Sequence, residues 1–124
     1  MTLNESGEMY LETIYILCKT KSSVRSLDIA EYMGYSKPSV SRAVGLLRKA
    51  EYISVDQHGY ITLTKSGEEI AANIYDRHTT LATMLMRLGV DEKTATEDAC
   101  KMEHDLSDET FEKILAHARE HGVT

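Results

Sequence analysis

One proline, two cysteines and no long apolar run occur in the 124 residues of this chain. Cys18 and Cys100 are too few and too far apart for a disulfide framework, and a reducing compartment keeps both as thiols. No window approaches the roughly 18 consecutive apolar residues of a membrane span. The opening Met-Thr-Leu-Asn-Glu-Ser lacks the basic and apolar regions of a secretory signal, so a cytoplasmic protein with no membrane partner is expected. No repeat, low-complexity tract or Pro-rich linker interrupts the chain. Its length suits one compact domain, or a small domain with a dimerisation extension.

Positive charge is also scarce, with a net charge of −6. Residues 1–64 carry seven Lys/Arg and seven Asp/Glu, whereas residues 65–124 carry seven and thirteen, so the acidity belongs to the second half. Lys37, Arg42, Arg48 and Lys49 lie in a stretch with no acid, a local patch able to meet phosphate. Net charge therefore does not exclude nucleic acid as a partner.

Residues 5–18 read as a helix with Leu11, Ile14, Tyr15 and Cys18 inward. A short helix from Ser26 ends at Gly34, and another starts with Ser36 as cap and Pro38 in its first turn. Two helices joined by such a Gly-containing turn form the helix-turn-helix pattern. The second is expected to bury Val40, Ala43, Val44 and Leu47 and to lie in the major groove. Ser36, Pro38, Ser41 and Arg42 would then lie nearest the bases, with Lys37, Arg48 and Lys49 toward phosphate and Ser39 also at the DNA-binding surface. Tyr52–Val55 and Tyr60–Leu63 alternate around Asp56-Gln57-His58-Gly59 and read as a hairpin, the wing. From a Thr64 cap, a long helix carries an Ile70, Ile74, Leu81, Leu85 and Leu88 stripe. Helices over 91–105 and 107–121 follow, the last capped by Ser107. Three amphipathic helices behind one small reading module offer surplus apolar surface, which predicts a homodimer.

Cys100, Glu103 and His104 stand at i, i+3 and i+4, the spacing at which helical side chains share a face. A thiol, a carboxylate and an imidazole so placed can converge on a divalent ion. Ala95, Ala99, Met102 and Leu106 mark the core stripe, which puts the triplet beside the core. The plainer alternative is a small core Cys100 with Glu103 and His104 solvated. Met9 and Glu12 are a second pair of ligand type, although Met packs cores and Glu decorates helices everywhere. His78 falls on the apolar stripe between Ile74 and Leu81, as a hydrogen-bonded core histidine or as a ligand. His58, His117 and His121 read as solvent-facing, and Cys18 as core.

Four segments carry a resemblance: Glu8-Met-Tyr-Leu-Glu-Thr-Ile-Tyr15, Ser36-Lys-Pro-Ser-Val-Ser41, Arg77-His78 and Ala99-Cys-Lys-Met-Glu-His-Asp-Leu-Ser-Asp-Glu109. In that order they resemble the diphtheria toxin repressor family of metal-dependent transcriptional regulators, which includes iron-dependent repressors and manganese transport regulators. The resemblance spans nearly the whole chain. It implies a mainly α fold, with a winged helix-turn-helix DNA-binding domain over 1–64 and a helical metal-binding and dimerisation domain over 65–124. It also implies a repressor of metal-uptake genes, not an enzyme, that binds palindromic operators in double-stranded DNA as a homodimer when loaded with metal.

By the same resemblance, Met9, Cys100, Glu103 and His104 match the activating site of iron-type members. His78 matches a neighbouring site, and Glu12 the carboxylate that manganese-type members add. Soft sulfur donors disfavour Mn²⁺, so Fe²⁺ is the expected ion and Mn²⁺ the second choice. Ala82 and Thr96 stand where iron-type members place a Glu and a His. Longer members continue into an SH3-like domain beyond the point where this sequence stops. The second site is therefore expected to be sparse or water-completed.

Two other functions fit parts of the sequence. A winged-helix regulator indifferent to metal would respond to an organic effector or to oxidation of Cys100. A small hydrolase would pair Cys100 with His104, but no oxyanion cradle is evident.

Overall fold

The Asn4 side chain accepts the Gly7 N–H at 2.7 Å and opens α1, Glu5–Thr20. The computed structural model describes residues 3–122. Tyr10, Leu11, Ile14 and Leu17 form the buried row of α1. Tyr15 and Cys18, expected in that row, are half-buried on its flank, where the Lys19 ammonium lies 4.5 Å from the Tyr15 ring centre. Helix α2, Ser26–Met33, ends at Gly34, whose φ of 71° makes the left-handed turn that glycine adopts at little cost. Helix α3, Lys37–Lys49, is capped by Ser36, with Val40, Val44 and Leu47 buried and Ala43 half-buried. Strands β1, Ile53–Val55, and β2, Ile61–Leu63, pair antiparallel with Ser54 opposite Thr62.

Helix α4, Lys65–Arg87, begins where the Thr64 hydroxyl accepts the Gly67 N–H at 3.1 Å. A Cβ on Gly67 would sit 1.9 Å from the Tyr52 carbonyl oxygen, so this close approach of helix to strand requires glycine. Helix α5, Glu92–Asp105, is capped by Asp91, and α6, Asp108–Glu120, by Ser107. None of the described helices is long and apolar enough to cross a membrane.

The chain forms two compact units, one ending at Ala72 and the next beginning at Asn73, within α4. The expected boundary at 64/65 is the start of α4; Ala71, fully buried, belongs to the first core, which carries the contact boundary further along. That core joins fourteen buried apolar residues from α1, α2, α3, the wing and the start of α4. The second unit has a smaller core of Leu81, Ala82, Ala99 and Phe111, with Met102, Leu106, Ile114 and Leu115 at its edge. Arg77 lies over the Phe111 ring, 4.7 Å from its centre, and bonds Asp108 at the start of α6. Leu88, expected on the buried stripe, is 80% exposed just beyond the end of α4.

Candidate metal centre and DNA-reading face

Ser36, Lys37, Pro38, Ser41, Arg42, Arg48 and Lys49 are all exposed on or beside α3. Ser39 is half-buried, its hydroxyl 2.9 Å from that of Ser36. Val40, Val44 and Leu47 anchor the opposite face, so the hydrophobic period itself turns the polar and basic side chains outward. Sequence reasoning missed Tyr35, 46% exposed, which shares a surface hollow with Ser36, Ser39 and Arg42. An aromatic in the turn of a helix-turn-helix was the available signal.

Arg25 was also missed. Its guanidinium donates to the His58 carbonyl and lies 5.1 Å from the Tyr60 ring centre, while the Ile61 N–H donates to the Val24 carbonyl at 2.8 Å. The segment before α2 thus fastens the wing. Asp56 holds the wing tip, accepting the backbone N–H of His58 at 2.8 Å and of Tyr60 at 2.9 Å. These bonds, Tyr60 first, hold its carboxyl below the usual aspartate range.

In the second unit, donor atoms of His78 from α4 and of Cys100 and Glu103 from α5 lie within 4.8 Å of one another. His104 is adjacent, its Nε2 3.4 Å from Glu103 Oε1, and His78 Nδ1 lies 3.8 Å from the same oxygen. These separations are too long for strong hydrogen bonds. Glu103 is 3% exposed, and neither of its carboxylate oxygens has a hydrogen-bond partner among the described residues. This corrects the expectation that Glu103 lies beside the core: it is more buried than Met102, on the stripe itself. An ionised carboxylate so placed costs several kcal/mol unless opposite charge compensates it.

One imidazole, a thiol and a carboxylate within that distance, with the His104 ring beside the carboxylate, fit a divalent cation of borderline softness. The residues present therefore fit a metal. His78, assigned by resemblance to a neighbouring site, converges with Cys100 and Glu103 here. Met9 and Glu12 are half-buried on α1 of the first unit. Burial pushes the Cys18 thiol up.

Residues 2–61 match the family described as "Iron dependent repressor, N-terminal DNA binding domain", and residues 64–120 match "Iron dependent repressor, metal binding and dimerisation domain". The chain belongs to the iron-dependent repressor family. It is 37% identical to an uncharacterized HTH-type transcriptional regulator of Methanocaldococcus jannaschii, over 90% of this chain and 91% of that one. To the transcriptional regulator MntR of Salmonella typhimurium it is 32% identical, over 93% of this chain and 73% of the relative.

A structure of the manganese regulator SloR superposes with a TM-score of 0.80 at 30% identity, covering all of this chain and 56% of that one. A manganese-dependent transcriptional repressor in complex with manganese gives 0.82 at 27% identity, and there this chain spans 53% of the other. Iron-dependent repressor family members are metal-dependent transcriptional regulators rather than enzymes, with an N-terminal DNA-binding domain and a C-terminal dimerisation domain. The mainly helical fold, a winged helix-turn-helix followed by a helical unit, is the one expected from sequence.

Proposed function

We propose that this chain is a cytoplasmic, iron-responsive repressor of metal-uptake genes that binds a palindromic operator as a homodimer. The observation that carries the reading is the buried Glu103 carboxylate, unbonded at both oxygens, with His78 and Cys100 gathered about it. Cys100, Glu103, His104 and His78 are the proposed ligands; Met9 and Glu12 are added on the sequence resemblance alone. A divalent cation bound there supplies the positive charge that Glu103 otherwise lacks. The thiol of Cys100 and the imidazoles are softer than carboxylates, which favours Fe²⁺ over Mn²⁺. Lys37, Arg48 and Lys49 grip phosphate, while Ser36, Pro38, Ser41 and Arg42 face base edges and Ser39 supports them from the same helix. Tyr75 and Met86, exposed on α4, and Leu88, exposed just after it, are apolar surface available to a second copy.

A manganese-responsive regulator is the second reading, favoured by the relatives whose names specify manganese and by Glu12. Selecting duplexes from a random pool with metal-loaded protein, then titrating the selected duplex by fluorescence anisotropy under anaerobic reducing conditions, separates the two. Fe²⁺ is expected to promote binding at lower concentration than Mn²⁺, and Met9→Asp with Cys100→Glu to reverse that order. Activation by Mn²⁺ at the lower concentration in the unaltered protein establishes the second reading; binding equally tight without metal rules out both.

A further inference from the structure

The last turn of α6 repeats the chelating spacing of the α5 triplet with different donors. His117, Glu120 and His121 stand at i, i+3 and i+4, and one ligand-type atom from each lies within 4.8 Å of the other two. All three residues are exposed, and Ala118, fully buried, fixes the rotation of that turn so that they stay on the solvent side. The two imidazole rings have centres 4.1 Å apart and planes inclined by 31°.

His121 Nδ1 lies 2.9 Å from the His117 carbonyl. A carbonyl only accepts, so in the neutral ring Nδ1 carries the proton and the lone pair belongs to Nε2. This is the arrangement in which a backbone carbonyl orients a metal-binding histidine. The helix end is itself held: the Arg87 guanidinium, from the last turn of α4, donates to the Gly122 carbonyl at 3.2 Å. The carbonyls that end a helix also favour a cation there.

We infer that His117, Glu120 and His121 form a surface site for a divalent ion of the Zn²⁺ class, built from residues that the buried centre does not use. Two imidazoles and one carboxylate are the donor set of a three-ligand zinc site, with the remaining positions open to water. Without sulfur, and with a single carboxylate, the site takes Zn²⁺, Ni²⁺ or Cu²⁺ in preference to Mn²⁺, the weakest binder of the divalent series. Ligation closes the i to i+4 span and staples the final turn of α6.

The site is tested by titrating the full chain with Zn²⁺ against a colour-forming chelator in reducing buffer. The unaltered protein, Glu103→Gln and His117→Asn with His121→Asn are compared, each checked for native helicity by circular dichroism. The double variant is expected to take up one equivalent of Zn²⁺ per chain fewer than the unaltered protein. In Glu103→Gln, Zn²⁺ is expected to shift the ring resonances of His117 and His121, while equimolar Mn²⁺ leaves them sharp. Equal Zn²⁺ uptake by the double variant and the unaltered chain, or rings unmoved by Zn²⁺ in Glu103→Gln, overturns the site. Broadening by Mn²⁺ as complete as the response to Zn²⁺ overturns its selectivity.

Discussion

The two units of this chain solve the problem of a core in opposite ways. The first gathers fourteen buried apolar residues, and the second a cluster of four, beside which it buries the Glu103 carboxylate and most of the His104 ring. Apolar burial contributes roughly 25 cal/mol per Å², whereas an uncompensated buried carboxylate costs several kcal/mol. The DNA-reading unit is therefore stable from its own packing. Under the proposed function, a cation at Glu103 would supply part of the second unit's stability. A sensor needs that difference, since a site already satisfied without ligand has nothing to report.

The contrast predicts where stability responds to metal. In the first unit Leu11→Ala or Ile14→Ala, both at fully buried positions, is expected to cost about 2–5 kcal/mol with or without metal. Metal at about 100 times its dissociation constant is expected to stabilise the state that binds it by about 2.7 kcal/mol. In hydrogen exchange that gain should appear in the amides of α5 and of α4 around His78, with the α3 and wing amides changing less. An equal rise in protection across α1, α3 and α5 would break the comparison.

A sharper test removes the defect instead of filling it. Glu103→Leu exchanges the buried carboxylate for an apolar side chain of similar volume, which removes the cost of burying a carboxylate with neither oxygen hydrogen-bonded. In metal-free protein the variant should melt at or above the parent temperature in denaturant and thermal scans, while losing metal-dependent DNA binding. Destabilisation without metal would show that Glu103 serves the fold and not the site.

Much of this was legible in the sequence because it is local. The Ser36 and Ser107 caps, the Gly34 turn, the wing alternation and the i, i+3, i+4 triplet each rest on residues within a few positions of one another. Burial was less legible, because it depends on residues far along the chain. The apolar period of α5 runs through Ala95, Ala99 and Met102, but Met102 is half-buried and Glu103 takes the inner position. No hydrophobicity pattern places a carboxylate there, since burying an unbonded polar group is unfavourable. The flank position of Tyr15, the exposure of Leu88 and the fastening of the wing by Arg25 were missed for the same reason.

If the first unit reads and the second senses, changes on α3 should alter reading and leave sensing intact. Arg42→Ala is expected to weaken a selected duplex by about 1–3 kcal/mol, as for loss of a bidentate contact to guanine, and random DNA by less. Lys49→Ala should weaken all sequences alike. Both variants should bind metal with the parent stoichiometry, measured by competition with a chelator. An Arg42→Ala loss of equal size on random DNA would move Arg42 from base reading to phosphate contact.

The smallest expected effect contrasts two carboxylates. Asp56 is exposed at the wing tip and accepts the backbone N–H groups of Tyr60 and His58, whereas Glu103 is buried with neither oxygen bonded. Hydrogen bonds to the charged form lower the folded pKa of Asp56 below its unfolded value of about 3.9. The unfolded chain therefore binds the proton more readily. Stability from Asp56 is fully present above about pH 4 and is lost as pH falls through the lower folded value. The Asp56 carboxyl carbon should titrate in NMR with a midpoint below about 3.9. Asp56→Asn should flatten the acid limb of wing stability without changing metal binding at neutral pH. A midpoint at or above the unfolded value would mean that the wing tip is not held by this carboxylate, and the division between a self-satisfied reading unit and a ligand-dependent sensing unit would fail at its most local point.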